Sequence, residues 1–338
     1  MRSLLFVPGD SARKQEKALA TDADALILDL EDSVDPAQLG AARDRVRALV
    51  GARTAGARPQ LWVRVNAPAS GLWQADLAHL FGLTGARAGR AARAPKRNGR
   101  GPDGIVLPKV SAAAEVVTVA RALAVLEGRS GLERGATRLL VIATETPRGL
   151  LSLPEYPARL GRSAPVLARL AGLTWGAEDL GAALGALARS DLSGQPTFTF
   201  QFARTSCLLA AAALGVQAID GVHTDFRDPA GLAAQLECAR RDGFTGKLAI
   251  HPEQIAAINA AFAPTAAECE QARRVVAAFA AARGAGVVSR DGRMIDRPHL
   301  LQAQRILAAA AATAAAGPAA GAGAAAGVGV AATAGGEP

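Results

Sequence analysis

Eight short apolar runs, set between longer alanine- and leucine-rich stretches, constrain this 338-residue chain more than any other feature. They are Ser3 to Val7, Ala25 to Leu30, Leu61 to Val65, Gly104 to Leu107, Leu139 to Ala143, Leu173 to Trp175, Gln217 to Ile219 and Lys247 to Ile250. The runs are apolar throughout rather than alternating, as strands are when both faces of a parallel sheet are covered. The stretches between them supply the helical crossovers that parallel neighbours require. Eight such units completed within about 250 residues predict an α/β fold, a closed (β/α)8 TIM barrel. A doubly wound dinucleotide fold is disfavoured because no GxGxxG follows the first run. Half of the residues are hydrophobic and a fifth are charged, which excludes disorder of the whole chain.

Helix starts are legible at Asp35-Pro36 and Asp228-Pro229, each a capping acid before a proline, and at Thr265 with Glu268, a capping box. The barrel is expected to span 1–285. A segment over 286–312 extends it, with a hairpin from Val287 to Ile295 around Asp291-Gly292 and a helix from Pro298 to Ala312. From Thr313 to Pro338 the chain is almost pure Ala and Gly, and a disordered tail is expected.

The formal charge is +8 and the pI about 10.2, a balance that points to nucleic acid, a membrane surface or an anionic ligand. Six of the cations, Arg87, Arg90, Arg93, Lys96, Arg97 and Arg100, fall in one insert over 82–101 that contains no acid. Without them the charge is +2. The insert also has no aromatic side chain on which a base could stack, so no nucleic-acid partner is expected. An anion-binding protein that uses this insert is the non-enzymatic alternative. Cys207, Cys238 and Cys269 form no CxxC pair and have no histidine at ligand spacing, so neither a disulfide framework nor a zinc site is indicated. The first apolar run ends in Pro8-Gly9, too short for a signal-peptide core, and no stretch reads as a transmembrane helix. The expected location is the cytoplasm, with no membrane partner.

Barrel enzymes place their chemistry on the loops after the C-terminal ends of the strands. Here those ends read Pro8-Gly9-Asp10, Glu31-Asp32, Arg64-Val65-Asn66, Pro108-Lys109, Thr144-Glu145-Thr146, Glu178-Asp179, Asp220 and His251-Pro252. Charges gathered at one mouth favour polar chemistry. Glu145 and Asp179 follow neighbouring strands, and two carboxylates with room for water and substrate oxygens suit Mg²⁺. Glu178-Asp179 as a helix cap and Glu145 paired with Arg148 are the structural alternatives. Arg64 fits a salt bridge, and Lys109 either a Schiff-base lysine or an ion-pair partner of the rim acids. His251 fits a structural or a catalytic role, and Asp296 stands where it would cap the last helix.

The phrases RSLLFVPGD, ALILDLEDSV, VRVN, DGIVLPKV, ATETPRGLL, TWGAEDL, AIDGVHTDFRD, GFTGKLAIHPEQIAAIN and DGRMIDRPHLLQA occur in this order between residues 2 and 303. In them the chain resembles the citrate lyase beta-subunit and malyl-CoA or citramalyl-CoA lyase family. The basic insert and the Ala/Gly tail lie outside the resemblance.

The resemblance implies a Mg²⁺-dependent carbon-carbon lyase, or a thioesterase, acting on a 3-hydroxyacyl-CoA such as malyl-CoA or citramalyl-CoA. It places the metal on Glu145 and Asp179, and Arg64 on the enolate of the acetyl thioester, with Arg64 and Glu145 both in contact with substrate. Glu31 and Asp32 match acids that hold metal-bound water or position the arginine. Phe6 and Lys17 match the part that contacts coenzyme A. Asp296 matches a catalytic aspartate on an extension that reaches a neighbouring subunit, so a homo-oligomer is implied, with a trimer as the form considered. The enzymatic alternatives are a citrate lyase beta subunit acting on a carrier-bound citryl group, and a lysine aldolase using Lys109.

Overall fold

In the computed structural model, residues 1–54, 56–83, 101–192, 194–282, 287–290 and 293–316 are described. The expected basic insert lies, apart from its edges, outside the described residues, as do residues 317–338. The eight strands are β1 (Ser3–Pro8), β2 (Ala25–Asp29), β3 (Gln60–Arg64), β4 (Gly104–Leu107), β5 (Arg138–Ile142), β6 (Leu170–Thr174), β7 (Gln217–Asp220) and β8 (Gly246–Ala249). Each pairs in parallel with its successor, and β8 closes on β1, giving the TIM barrel that the apolar runs predict. β6 departs furthest from the expected bounds, beginning at Leu170, three residues before the expected run, whereas the other strands agree to within a residue at each end. Ala171 and Gly172 carry little strand propensity; Gly172 pairs with Leu140 and Gln217 in the sheet, and the position takes glycine because a Cβ there would stand 2.7 Å from the Gln217 carbonyl.

Two apolar layers result from the pleat. Leu4, Ala25, Ile27, Trp62, Val106, Leu140, Ile142, Ile219 and Leu248 fill the barrel, while the intervening residues pack beneath the helices. The Trp62 ring takes up much of the interior, and Gly104 on the next strand makes room for it: a Cβ there would fall 2.3 Å from the ring. Register pairs Ile27 with Trp62 and, two residues further along, Asp29 with Arg64. The side chains that follow the apolar plug toward the mouth are therefore an acid and a base on adjacent strands.

Asp228 caps the helix Pro229–Asp242 through the Gly231 amide, and the Thr265–Glu268 capping box opens the helix Ala266–Ala281. Asp35 instead caps a short 3-10 turn, Pro36–Gln38, ahead of the helix Leu39–Ala52. Beyond the barrel, β9 (Val287–Arg290) and β10 (Arg293–Asp296) form the antiparallel hairpin, and the helix Arg297–Ala316 follows. This helix runs past Ala312 into the alanine-rich segment expected to lack structure. Alanine is the strongest helix former, and here propensity carries the helix into a stretch that has no large side chain to bury. Ala272, Val275, Ile295 and Ala303 form a small core apart from the barrel's, so the helix Ala266–Ala281 shares its packing with the extension.

Candidate active site

The mouth of the barrel opens into a cavity of about 820 Å³ whose walls include Phe6, Lys17, Arg64, Glu145, Trp175 and Asp179. Arg64 is the most completely fixed of these. Its Nε and Nη2 each donate to one oxygen of Asp29 at 2.7 Å, a bidentate fork on the adjacent strand. Its Nη1 lies 3.0 Å from Glu31 Oε2 and 3.4 Å from Asp32 Oδ2, and the Phe6 ring underlies the guanidinium at 4.9 Å. Burial alone would raise the Asp29 carboxyl, but the Arg64 fork and the backbone amides of Glu31 and Ser33 hold it below the usual carboxylate range.

The acids form the other half of the site. Glu145, just past β5, is almost completely buried. Its Oε2 accepts the Lys109 amide at 2.6 Å, and Gly176 lies against its side chain, where a Cβ would fall 2.6 Å from Cγ. Burial, and then repulsion from Asp179, push its carboxyl up to about 8. Burial likewise lifts Glu31 to about 7 against the pull of Arg64 and Lys109. Glu31 Oε2 is a buried oxygen without a hydrogen bond, although Arg64 lies close enough for an ion pair. Two carboxylates forced together and short of positive charge are a donor set for a divalent cation. Among the described residues no three His, Cys, Asp or Glu side chains converge to hold a metal alone. Magnesium fits such a set, because it keeps several waters and needs only one or two carboxylates.

The Lys109 ammonium lies among these acids, donating to Glu31 at 2.8 Å and to both oxygens of Asp32 at 2.8 Å, with Asp179 at 3.3 Å. Burial opposes its charge, yet the Asp32 and Glu31 hydrogen bonds raise its proton affinity above that of an ordinary lysine. A Schiff base needs a neutral amine, so the ion-pair reading of Lys109 holds and the lysine-aldolase reading loses its nucleophile.

A model of the HpcH/HpaI aldolase/citrate lyase family matches residues 2–88 and 92–252, and one described as a carbon-carbon bond lyase of the TIM-barrel fold matches 203–314. The chain belongs to the HpcH/HpaI aldolase/citrate lyase family. A (3S)-malyl-CoA thioesterase of Cereibacter sphaeroides is 36% identical over 91% of this chain and 93% of its own. The mitochondrial citramalyl-CoA lyase of Rattus norvegicus is 33% identical over 90% and 85%, and the citrate lyase beta subunit of Escherichia coli K12 is 36% identical over 91% and 92%. Among solved structures, the CitE protein of Mycobacterium tuberculosis, in complex with magnesium, acetoacetate and coenzyme A, is 31% identical, with a TM-score of 0.66 over 92% of this chain and 98% of its own.

In this member of the family, Phe6, Lys17, Arg64, Glu145 and Asp179 line one cavity, with Glu31 and Asp32 bonded to its Arg64 and Lys109. No ion pair among the described residues joins Glu145 to Arg148, and Glu178, which also lines the cavity, pairs with Arg189 at 2.9 Å. His251 also lines the cavity, stacked on Phe226 with ring centroids 4.4 Å apart. Asp220 is a correction: it faces away from the barrel interior, buried against Trp175 Nε1 at 2.7 Å, Arg204 Nε at 3.0 Å and Lys247 Nζ at 3.1 Å. Strand parity accounts for this, since Ile219 occupies the inward position. Asp296 lies outside the cavity lining of its own barrel, its Oδ1 2.5 Å from His299 Nδ1. The sequence reading missed Asp29 and Gly176. Asp29 could have been found from parity, because Ala25, Ile27 and Asp29 share the inward face of β2.

Proposed function

We propose that the protein is a magnesium-dependent lyase, or thioesterase, of 3-hydroxyacyl-CoA esters such as malyl-CoA and citramalyl-CoA, working through an acetyl-thioester enolate. The observation that carries this reading is the fixed Arg64 guanidinium beside the Glu145 and Asp179 carboxylates in one cavity. Cleavage removes the proton of the substrate hydroxyl, breaks the carbon-carbon bond and leaves its electron pair on the thioester as an enolate, while the other fragment departs as a carbonyl compound. Magnesium on Glu145 and Asp179 would supply Lewis acidity toward the substrate's hydroxyl and carboxylate oxygens. Arg64 has N–H donors beyond those held by Asp29, and they offer a permanently charged, preorganised partner for the enolate oxygen. Arg13, Lys14 and Lys17 lie along the cavity edge without an ion-pair partner among the described residues, and suit the phosphates of a free coenzyme A ester. Trp175 and Phe6 line the apolar wall.

Protonation of the enolate carbon, or activation of water where the product thioester is hydrolysed, falls to Asp296 delivered by a neighbouring subunit. Support comes from its place outside its own cavity and from exposed apolar side chains in two parts of the chain, Leu187, Leu192, Phe198 and Phe202 in one and Val287 and Met294 on the extension. Unlike apolar segments on one molecule suit head-to-tail association in a closed ring such as a trimer. The three cysteines are free, and no described helix is long and apolar enough to cross a membrane, which agrees with a cytoplasmic enzyme.

The test is to incubate the protein with Mg²⁺ and a panel of malyl-, citramalyl- and related CoA esters and identify the products by mass. Acetyl-CoA is expected from lyase action, and free coenzyme A with the intact hydroxy acid from thioesterase action; EDTA or Glu145→Ala should abolish either. Full turnover in excess EDTA would remove the metal from the mechanism. The equal identity to a citrate lyase beta subunit favours a second reading, in which turnover appears only with a carrier-bound citryl group.

A further inference from the structure

We propose that Lys109 is a tethered cation that competes with the divalent metal for the rim acids, and thereby sets how tightly the metal is held. The inference rests on Glu145 and Asp179 being the metal site. It starts from the backbone. Lys109 has φ +49°, and among the described residues no other non-glycine has a positive φ. A side chain bearing a Cβ disfavours this left-handed region, so a residue kept there is held by its surroundings.

What holds it is the acid cluster. The amide of Lys109 donates to Glu145 at 2.6 Å, while its ammonium reaches Glu31, Asp32 and Asp179 within 3.3 Å. One residue thus touches four carboxylates, including both expected metal ligands, one through the main chain and one through the side chain. The cluster is short of positive charge: with Asp29 there are five carboxylates that, among the described residues, face only Arg64 and Lys109, and the Arg64 fork is committed to Asp29. Asp179 Oδ1 already has the ammonium as a neighbour at 3.3 Å, so a divalent cation arriving at this carboxylate meets a resident positive charge whichever oxygen it takes. Either way the resident charge opposes the incoming one. A merely structural lysine would affect folding without that opposition.

The experiment is calorimetric titration of Mg²⁺ into EDTA-stripped full-length wild type, Lys109→Met, Lys109→Gly and Lys109→Arg, with parallel thermal melts. The methionine and glycine variants should bind Mg²⁺ roughly tenfold more tightly, because a like charge has left the site. They should melt lower than wild type without metal and recover most of the difference at saturating Mg²⁺. The arginine variant should restore weaker binding. Lys109→Gly retains the left-handed backbone and the amide bond to Glu145, so it isolates the ammonium if the methionine variant does not fold. Unchanged or weaker Mg²⁺ binding by the uncharged variants overturns the inference alone. A wild-type protein that takes up no Mg²⁺ overturns the metal site together with it.

Discussion

Arg64 is useful at the mouth because it is held on several sides. Two N–H bonds to Asp29 and the Phe6 ring beneath fix its plane, and its charge persists at every working pH. Lysine at this position would keep the charge and lose the fork. Arg64→Lys should therefore lower kcat by about 10²–10³-fold with little change in KM, the pattern of an interaction made in the transition state, and steady-state kinetics would show it. Glu31 gives a pH signature. Its carboxyl lies at about 7 in the folded, metal-free protein against 4.5 for the free group, so between those values the folded state holds a proton that the unfolded state has released. Stability from this group is present at low pH and declines as pH rises through 7. Melting temperatures in EDTA should fall from pH 5 to pH 8, and Glu31→Gln should flatten the slope. A variant as steep as wild type would remove Glu31 as its cause. At this scale the residue types were legible and the pairings only partly so. Glu145 and Asp179 stand out as charged strand-end residues, whereas the partnership of Asp29 with Arg64 depends on register between strands far apart in sequence.

Strands and their ends turn those pairings into a site. Parity along β2 and β3 carries Asp29 and Arg64 inward above the Trp62 plug, and the same parity turns Asp220 outward into a buried ion cluster. The apolar runs disclosed the strands because burial on both faces leaves a strong signal. The phase within each run left a weak one, and so Asp220 reads as a rim residue until the barrel is closed. Gly176, between β6 and the helix Ala177–Leu184, shows how an element terminus shapes the chemistry. It has an ordinary negative φ of −125°, so its requirement is for space and not for backbone freedom. Gly176→Ala would bring a Cβ to 2.6 Å from Glu145 Cγ, and the side chain must give way. The expected result is a folded protein with a Tm within a few degrees of wild type and Mg²⁺ binding weakened about tenfold or more, since loss of one well-oriented metal contact has effects of this order. Calorimetry with Mg²⁺ and a thermal melt on the same sample separate the two effects. Unaltered metal binding would show that Glu145 does not need the position it has here.

For the whole molecule, the question is what completes the mouth. The extension from Val287 to Ala316 packs on the helix Ala266–Ala281 through its own small core, and Asp296 does not line the cavity of the barrel that carries it. Its hairpin was legible from Asp291-Gly292 between apolar residues, but no sequence pattern could say which barrel mouth it serves, because that depends on a surface between molecules. If the extension serves a neighbour, Glu145→Ala and Asp296→Asn each disable a different half of a shared site. A co-expressed mixture then contains some sites with an intact barrel from the Asp296→Asn chain and an intact extension from the Glu145→Ala chain. In a closed head-to-tail ring with equal and random mixing, this combination arises at about one site in four, whatever the number of subunits. The mixture should recover about a quarter of wild-type turnover per chain, while each variant alone stays inactive. An extension serving its own barrel allows no such site and no recovery. Sedimentation of the mixture, run alongside the assay, distinguishes a failure to exchange subunits from a site completed within one chain.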